Sequence, residues 1–120
     1  MIFSVTNSKL KSLNISGWQQ TKSLSFLQNF GCLKELDISD LPFIKTLVDV
    51  LKLTHLNHLF CSRTYIPIEE YVDLGFLSSI KSVNSFALDE ASVAFLRTTL
   101  SHVEINCHPI SRIAQFECSV

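Results

Sequence analysis

A chain of 120 residues, 47% hydrophobic and 18% charged, can bury one small core and is too apolar for a disordered segment. Its formal net charge is -1, and its basic residues stand singly rather than in runs. Such a chain has no field to draw nucleic acid or an anionic membrane, so neither partner is expected.

The amino terminus, MIFSVTNSKLK, lacks the basic start and continuous apolar run of a signal peptide. No apolar run elsewhere nears the length of a membrane span. The four cysteines, Cys32, Cys61, Cys107 and Cys118, are widely scattered. They are expected as reduced thiols in an intracellular, cytoplasmic protein.

Along the chain, the pattern apolar-x-x-apolar-x-apolar occurs five times: Leu10/Leu13/Ile15, Leu33/Leu36/Ile38, Leu56/Leu59/Cys61, Ile80/Val83/Ser85 and Leu100/Val103/Ile105. The starts at 10, 33, 56, 80 and 100 lie 23, 23, 24 and 20 residues apart, and Ser85 is the one polar residue among the fifteen. The first two copies, LKSLNIS and LKELDIS, share five of seven residues. In an extended segment alternate side chains share a face, so the fourth and sixth residues point one way and the third and fifth the other. One copy cannot bury its apolar face alone, and neighbouring copies must stack.

The connecting segments are expected to return along the other side. The first, WQQTKSLSFLQNF, offers Leu24, Leu27 and Phe30 at three-residue steps, which predicts a turn or two of helix or 3₁₀. The second, FIKTLVDVLKL, places Ile44, Leu47, Val48 and Leu51 at the spacing of an amphipathic α-helix, with Pro42 near its start. The third, PIEEYVDL, predicts a short helix after Pro67. The fourth, LDEASVAFLR, predicts a helix with Asp89 and Glu90 in the first turn, Arg97 at the end, and Val93 and Leu96 inward.

A period near 23 residues with an L-x-x-L-x-L core resembles the leucine-rich repeat family over roughly residues 8–108. The resemblance implies an α/β fold: a single leucine-rich-repeat solenoid domain over residues 1–120. Short parallel strands would line its concave face, their fourth and sixth residues pointing into the solenoid and their third and fifth outward, with short helices or turns on its convex face. The family usually carries Asn or Cys at the ninth position, here Trp18, Leu41, Thr64, Leu88 and His108, which implies an irregular solenoid. The forms LNISG and LDISD are similar to substrate receptors of cullin-type ubiquitin ligases of the Zyg-eleven and F-box leucine-rich kinds. Both ends read as unfinished, MIFSVTNSK being too short for a unit and ISRIAQFECSV half of one. Either they cap the stack, or the chain is a piece of a longer array, or an uncapped end self-associates.

With five strands stacked, outward residues fall into columns. The third position gives Ser12, Glu35, His58, Ser82 and His102; the fifth gives Asn14, Asp37, Phe60, Asn84 and Glu104; the second includes Lys34. Two aromatics break this polar surface, Phe60 at an outward position and Phe86 just past the fourth strand. Exposed aromatics amid polar and charged groups match the make-up of interface hot spots. Arg63 is expected to rim the same patch and to pair with Asp37 or Asp40.

Chemistry is expected to be absent. There is no G-x-S-x-G, phosphate loop or H-E-x-x-H, and Cys107–His108 has no second pair at zinc spacing. No cofactor, metal or enzyme activity is therefore expected. The expected function is a protein-interaction module binding a protein or peptide on its concave face, as the substrate-recognition part of a ubiquitin-ligase complex. The alternative is a structural, self-assembling solenoid without a separate ligand. The candidate binding residues are Lys34, Glu35, Asp37, His58, Phe60, Arg63, Asn84, Phe86, His102 and Glu104.

Overall fold

Apolar side chains alternating with polar ones favour short strands with one buried face, and five such strands pair side by side in the computed structural model, which describes residues 9–85 and 89–107. They are β1 (Ser12–Asn14), β2 (Glu35–Asp37), β3 (His58–Phe60), β4 (Ser82–Ser85) and β5 (Glu104–Cys107). All pair in parallel, in the order β1-β2-β3-β4-β5. The fold is α/β, with few and short helices. Phe86, His108 and the ISRIAQFECSV segment lie outside the described residues, as does Leu88.

Each inward fourth-position residue sits opposite its counterpart: Leu13 by Leu36, Leu36 by Leu59, Leu59 by Val83, Val83 by Ile105. Leu36, Leu59, Val83, Ile38 and Cys61 have no exposure at all. Ser85 occupies the same inward column yet is 2% exposed. Its hydroxyl donates to the Cys61 carbonyl at 3.2 Å, which satisfies the one polar group placed in this row. Trp18 packs half-buried against the core.

Three of the four returns match expectation. A 3₁₀ helix at Ser25–Asn29 buries Leu27 between Leu24 and Phe30. Helix α1 (Ile68–Val72) follows Pro67 and continues as 3₁₀ over Asp73–Phe76. Helix α2 (Glu90–Thr99) buries Val93 and Leu96 and ends beside Arg97, with Asp89 as its N-cap accepting the Ser92 N–H at 2.7 Å. The second return differs. No α-helix forms over 43–53; only Val50–Lys52 is 3₁₀, and Val48 is half exposed. The buried residues are Ile44, Leu47, Val50 and Leu53, so the spacing that packs is every third residue. Three-residue steps suit a tight 3₁₀-like path rather than the 3.6-residue turn.

The fifth unit also departs from expectation. Leu33, Leu56, Ile80 and Val103 each donate their N–H to the carbonyl three residues earlier, of Phe30, Leu53, Leu77 and Leu100. Val103, not Leu100, therefore starts the fifth unit, and Ile105 pairs with Val83. One residue of the turn is missing. In β2, β3 and β4 two successive N–H groups share one carbonyl of the previous strand, as Lys34 and Glu35 share that of Lys11. At β5, among the described residues, Glu104 alone takes the Lys81 carbonyl. The pattern over 100–105 misplaced the strand by two residues. A slip of two keeps every side chain on its own face, so burial could not expose the error.

Glu70 ties α1 to the preceding return. Its carboxylate accepts the Thr46 hydroxyl at 2.7 Å and the Leu47 N–H at 3.0 Å. These bonds, the hydroxyl first, hold the carboxyl below its ordinary 4.5. A lowered folded pKa gives stabilisation that is complete above the unfolded value and disappears as pH falls through the folded one. Glu70→Gln is expected to cost about 0.5–1 kcal/mol at pH 7. Between wild type and variant, the gap in urea midpoint should close as pH drops below 4.5. A gap that stays constant to pH 3 would remove Glu70 from the account.

Candidate protein-binding face

The outward residues of the sheet form two rows across the strands. Glu35, His58, Ser82 and Glu104 stand opposite one another, and so do Asp37, Phe60, Asn84 and Asn106. The shifted fifth strand puts Glu104 in the third-position row and Asn106 in the fifth. His102 is on no strand: it is exposed in the turn before β5, its ring edge beside Gly75. It does not share a row with His58, which corrects the expected column. Asn106 is the residue the pattern missed, and the turn bonds that would have placed it leave no mark in apolar spacing.

Side chains of β3, β4 and β5 interlock. His58 Nδ1 lies 2.7 Å from Ser82 Oγ, and Asn84 Nδ2 donates to that oxygen at 3.1 Å and to the Leu59 carbonyl at 3.2 Å. Asn106 Nδ2 donates to Asn84 Oδ1 at 2.9 Å and to Glu104 at 3.0 Å. Glu35, His58 and Ser82 thus sit in one row with a serine–histidine contact, the order of residue types a hydrolase would use. Ser82, however, is 5% exposed and its oxygen already receives the Asn84 amide. His58, Ser82 and Asn84 form a polar brace in which the serine hydroxyl is buried and engaged.

Phe60 differs from its row mates on β1 and β2. Asn14 and Asp37 use their side chains to accept the N–H two residues on, of Ser16 at 2.8 Å and Ser39 at 2.9 Å, and so fasten the turn leaving each strand. Phenylalanine has no such acceptor. The Ser62 N–H goes instead to Ser39 Oγ at 2.9 Å. Phe60 is therefore not required by its turn, and 40% of it remains exposed. Two shallow clefts meet at this ring. One is bounded by Glu35, Asn14 and Asp37, the other by Asp37, Asn84, Asn106 and Arg63. Asp37 and Phe60 belong to both.

Arg63 closes the second cleft. Its Nε and Nη2 donate to the two oxygens of Asp40 at 2.6 and 2.9 Å. That fork, more than plain charge attraction, keeps the Asp40 carboxyl below its ordinary value. Both residues adopt the left-handed backbone that Gly17 takes at the same place in the first unit, with φ of 55° and 59° against 79°. The pair is solvent-exposed and contributes little stability, so its effect is local: it fixes the guanidinium beside Phe60 and neutralises it. Of the two partners expected for Arg63, the structure selects Asp40.

Lys34 falls elsewhere. Its side chain lines a separate basic cleft with Lys9, Lys11, Cys32 and His55, at the start of the strands. The structure thus brings together Glu35, Asp37, Phe60, Arg63 and Asn84 around one ring, adds His58 and Glu104 as the bracing network, and separates Lys34 and His102 from them. Among the described residues no group of three or more His, Cys, Asp or Glu is placed to hold a metal ion, and no helix is long and apolar enough to cross a membrane. No protein-family model matches the chain.

Proposed function

We propose that the chain is an irregular leucine-rich-repeat solenoid acting as a protein-interaction module, and that it binds a protein or peptide segment on the outward strand face centred on Phe60. Support for the solenoid comes from the in-register parallel strands, whose partners lie 22 to 24 residues apart and match the apolar period at every step but the last. The observation that carries the binding site is Phe60 itself. It is an aromatic, 40% exposed, at a position whose equivalents Asn14 and Asp37 serve their own turns, and it stands between two clefts beside a network of side-chain bonds. A preorganised rim loses less entropy on association, and a central aromatic supplies the desolvated anchor. The receptor role in a ubiquitin-ligase assembly draws only on LNISG and LDISD, and the face adds nothing to it.

The test is selection of linear peptides from a displayed random library on the immobilised chain, followed by titration against wild type and Phe60→Ala. The variant is expected to lose about 2 kcal/mol of binding, roughly thirtyfold, while its urea midpoint stays unchanged. Selected peptides that bind both proteins equally would place the site elsewhere.

A further inference from the structure

The face so proposed also has a chemical preference, and this inference rests on that reading: we infer that a Lys or Arg side chain of the partner segment lies across the Phe60 ring with its charge on the Asp37 carboxylate. Asp37 and Phe60 are register partners on adjacent strands, so their side chains stand next to each other on one face. They are also the two residues common to both clefts. One Asp37 oxygen accepts the Ser39 N–H, which fixes where the carboxylate sits. The face of an aromatic ring attracts a cation, and a neighbouring carboxylate strengthens that attraction.

Charge around the ring points the same way. Glu35 borders one cleft, Asp40 the other, and Glu104 is held in the adjoining row. Among the described residues the one guanidinium nearby is that of Arg63; it bonds Asp40 through both Nε and Nη2 and meets Asp37 only through its charge. The lysines of the strand starts, Lys11 and Lys34, line a different cleft. An acidic segment would therefore meet like charge, which opposes binding. A purely apolar side chain would cover the ring but strip water from the Asp37 carboxylate, leaving its charge with only the Ser39 N–H and the field of Arg63, which costs free energy. A basic side chain with an aliphatic stem covers the ring and pairs the carboxylate at once. The chain already holds a cation near a ring: Lys22 Nζ lies 5.8 Å from the centre of the exposed Phe43 ring.

The same displayed library decides the matter, with the isolated peptides resynthesised carrying citrulline or norleucine in place of each Arg or Lys. Selected peptides should share one basic position, and neutralising it should weaken binding to wild type about tenfold. The same change should matter little against Asp37→Asn, whose carboxamide removes the charge and keeps the acceptor for the Ser39 N–H. Affinity for the basic peptides should also fall as salt rises. Peptides that depend on Phe60 yet share no basic residue, or are acidic, would overturn this inference and leave the binding face standing. Peptides indifferent to both Phe60→Ala and Asp37→Asn would overturn the face and the preference together.

Discussion

Leu59→Ala is expected to cost about 3–5 kcal/mol, and Phe60→Ala, one residue along, less than about 0.5. Leu59 has no exposure and lies in the middle strand, opposite Leu36 on one side and Val83 on the other. Truncating it leaves a cavity walled on both sides by strands that cannot close inward without breaking register. Small domains are stable by only about 5–15 kcal/mol, so the variant should be close to unfolded at 37 °C. Phe60 projects from the other face and supports no turn. Urea unfolding followed by tryptophan emission measures both, Trp18 being half-buried against the core. If the two costs were reversed, the inward and outward faces of β3 would have been assigned the wrong way round.

Tyr71 gives the second large effect. It is the bulkiest fully buried side chain, 1% exposed, in the short helix α1. Tyr71→Ala should cost about 3–5 kcal/mol through the void it leaves in the core. Tyr71→Phe keeps the ring and loses only hydroxyl bonding, including the 3.3 Å contact with Thr64, so about 1 kcal/mol is expected. Thermal unfolding of the pair separates packing from polar contributions. A Phe variant as damaged as the Ala variant would mean that the hydroxyl, not the ring, holds the helix in place.

What could be read in advance divides along physical lines. Leu36, Leu59 and Ile38 announced themselves because a strand's two-residue period leaves them no other face to occupy. Phe60 stood out for the same reason, being apolar at an outward position. Leu100 and Val103 misled because each is apolar at a spacing that fits, and a two-residue slip preserves the alternation. The backbone bonds distinguish the registers: Val103 to Leu100, like Ile80 to Leu77, and Glu104 to Lys81. The error carried His102 onto the face and set Glu104 one place too far along it. FIKTLVDVLKL misled differently, because Ile44 and Leu47 serve a three-residue step as well as they serve an α-helix. Val50, with no exposure, and Val48, half exposed, decide between them. The pairing of Arg63 with Asp40 rather than Asp37 depends on a left-handed turn that neither residue type advertises.

The strand order repeats the chain order, and this shapes how the molecule assembles. Every pairing closes a segment of nearly the same length, 22 to 24 residues, so each step meets a similar loop-closure cost. None requires distant parts of the chain to find one another, and contact order stays moderate. Once β2 and β3 have met, β1 and β4 each find a template already formed, and growth can proceed outward in both directions. Loss should run in reverse, with amide exchange at β1 and β5 faster than at Leu59, where protection reflects the opening of the whole sheet.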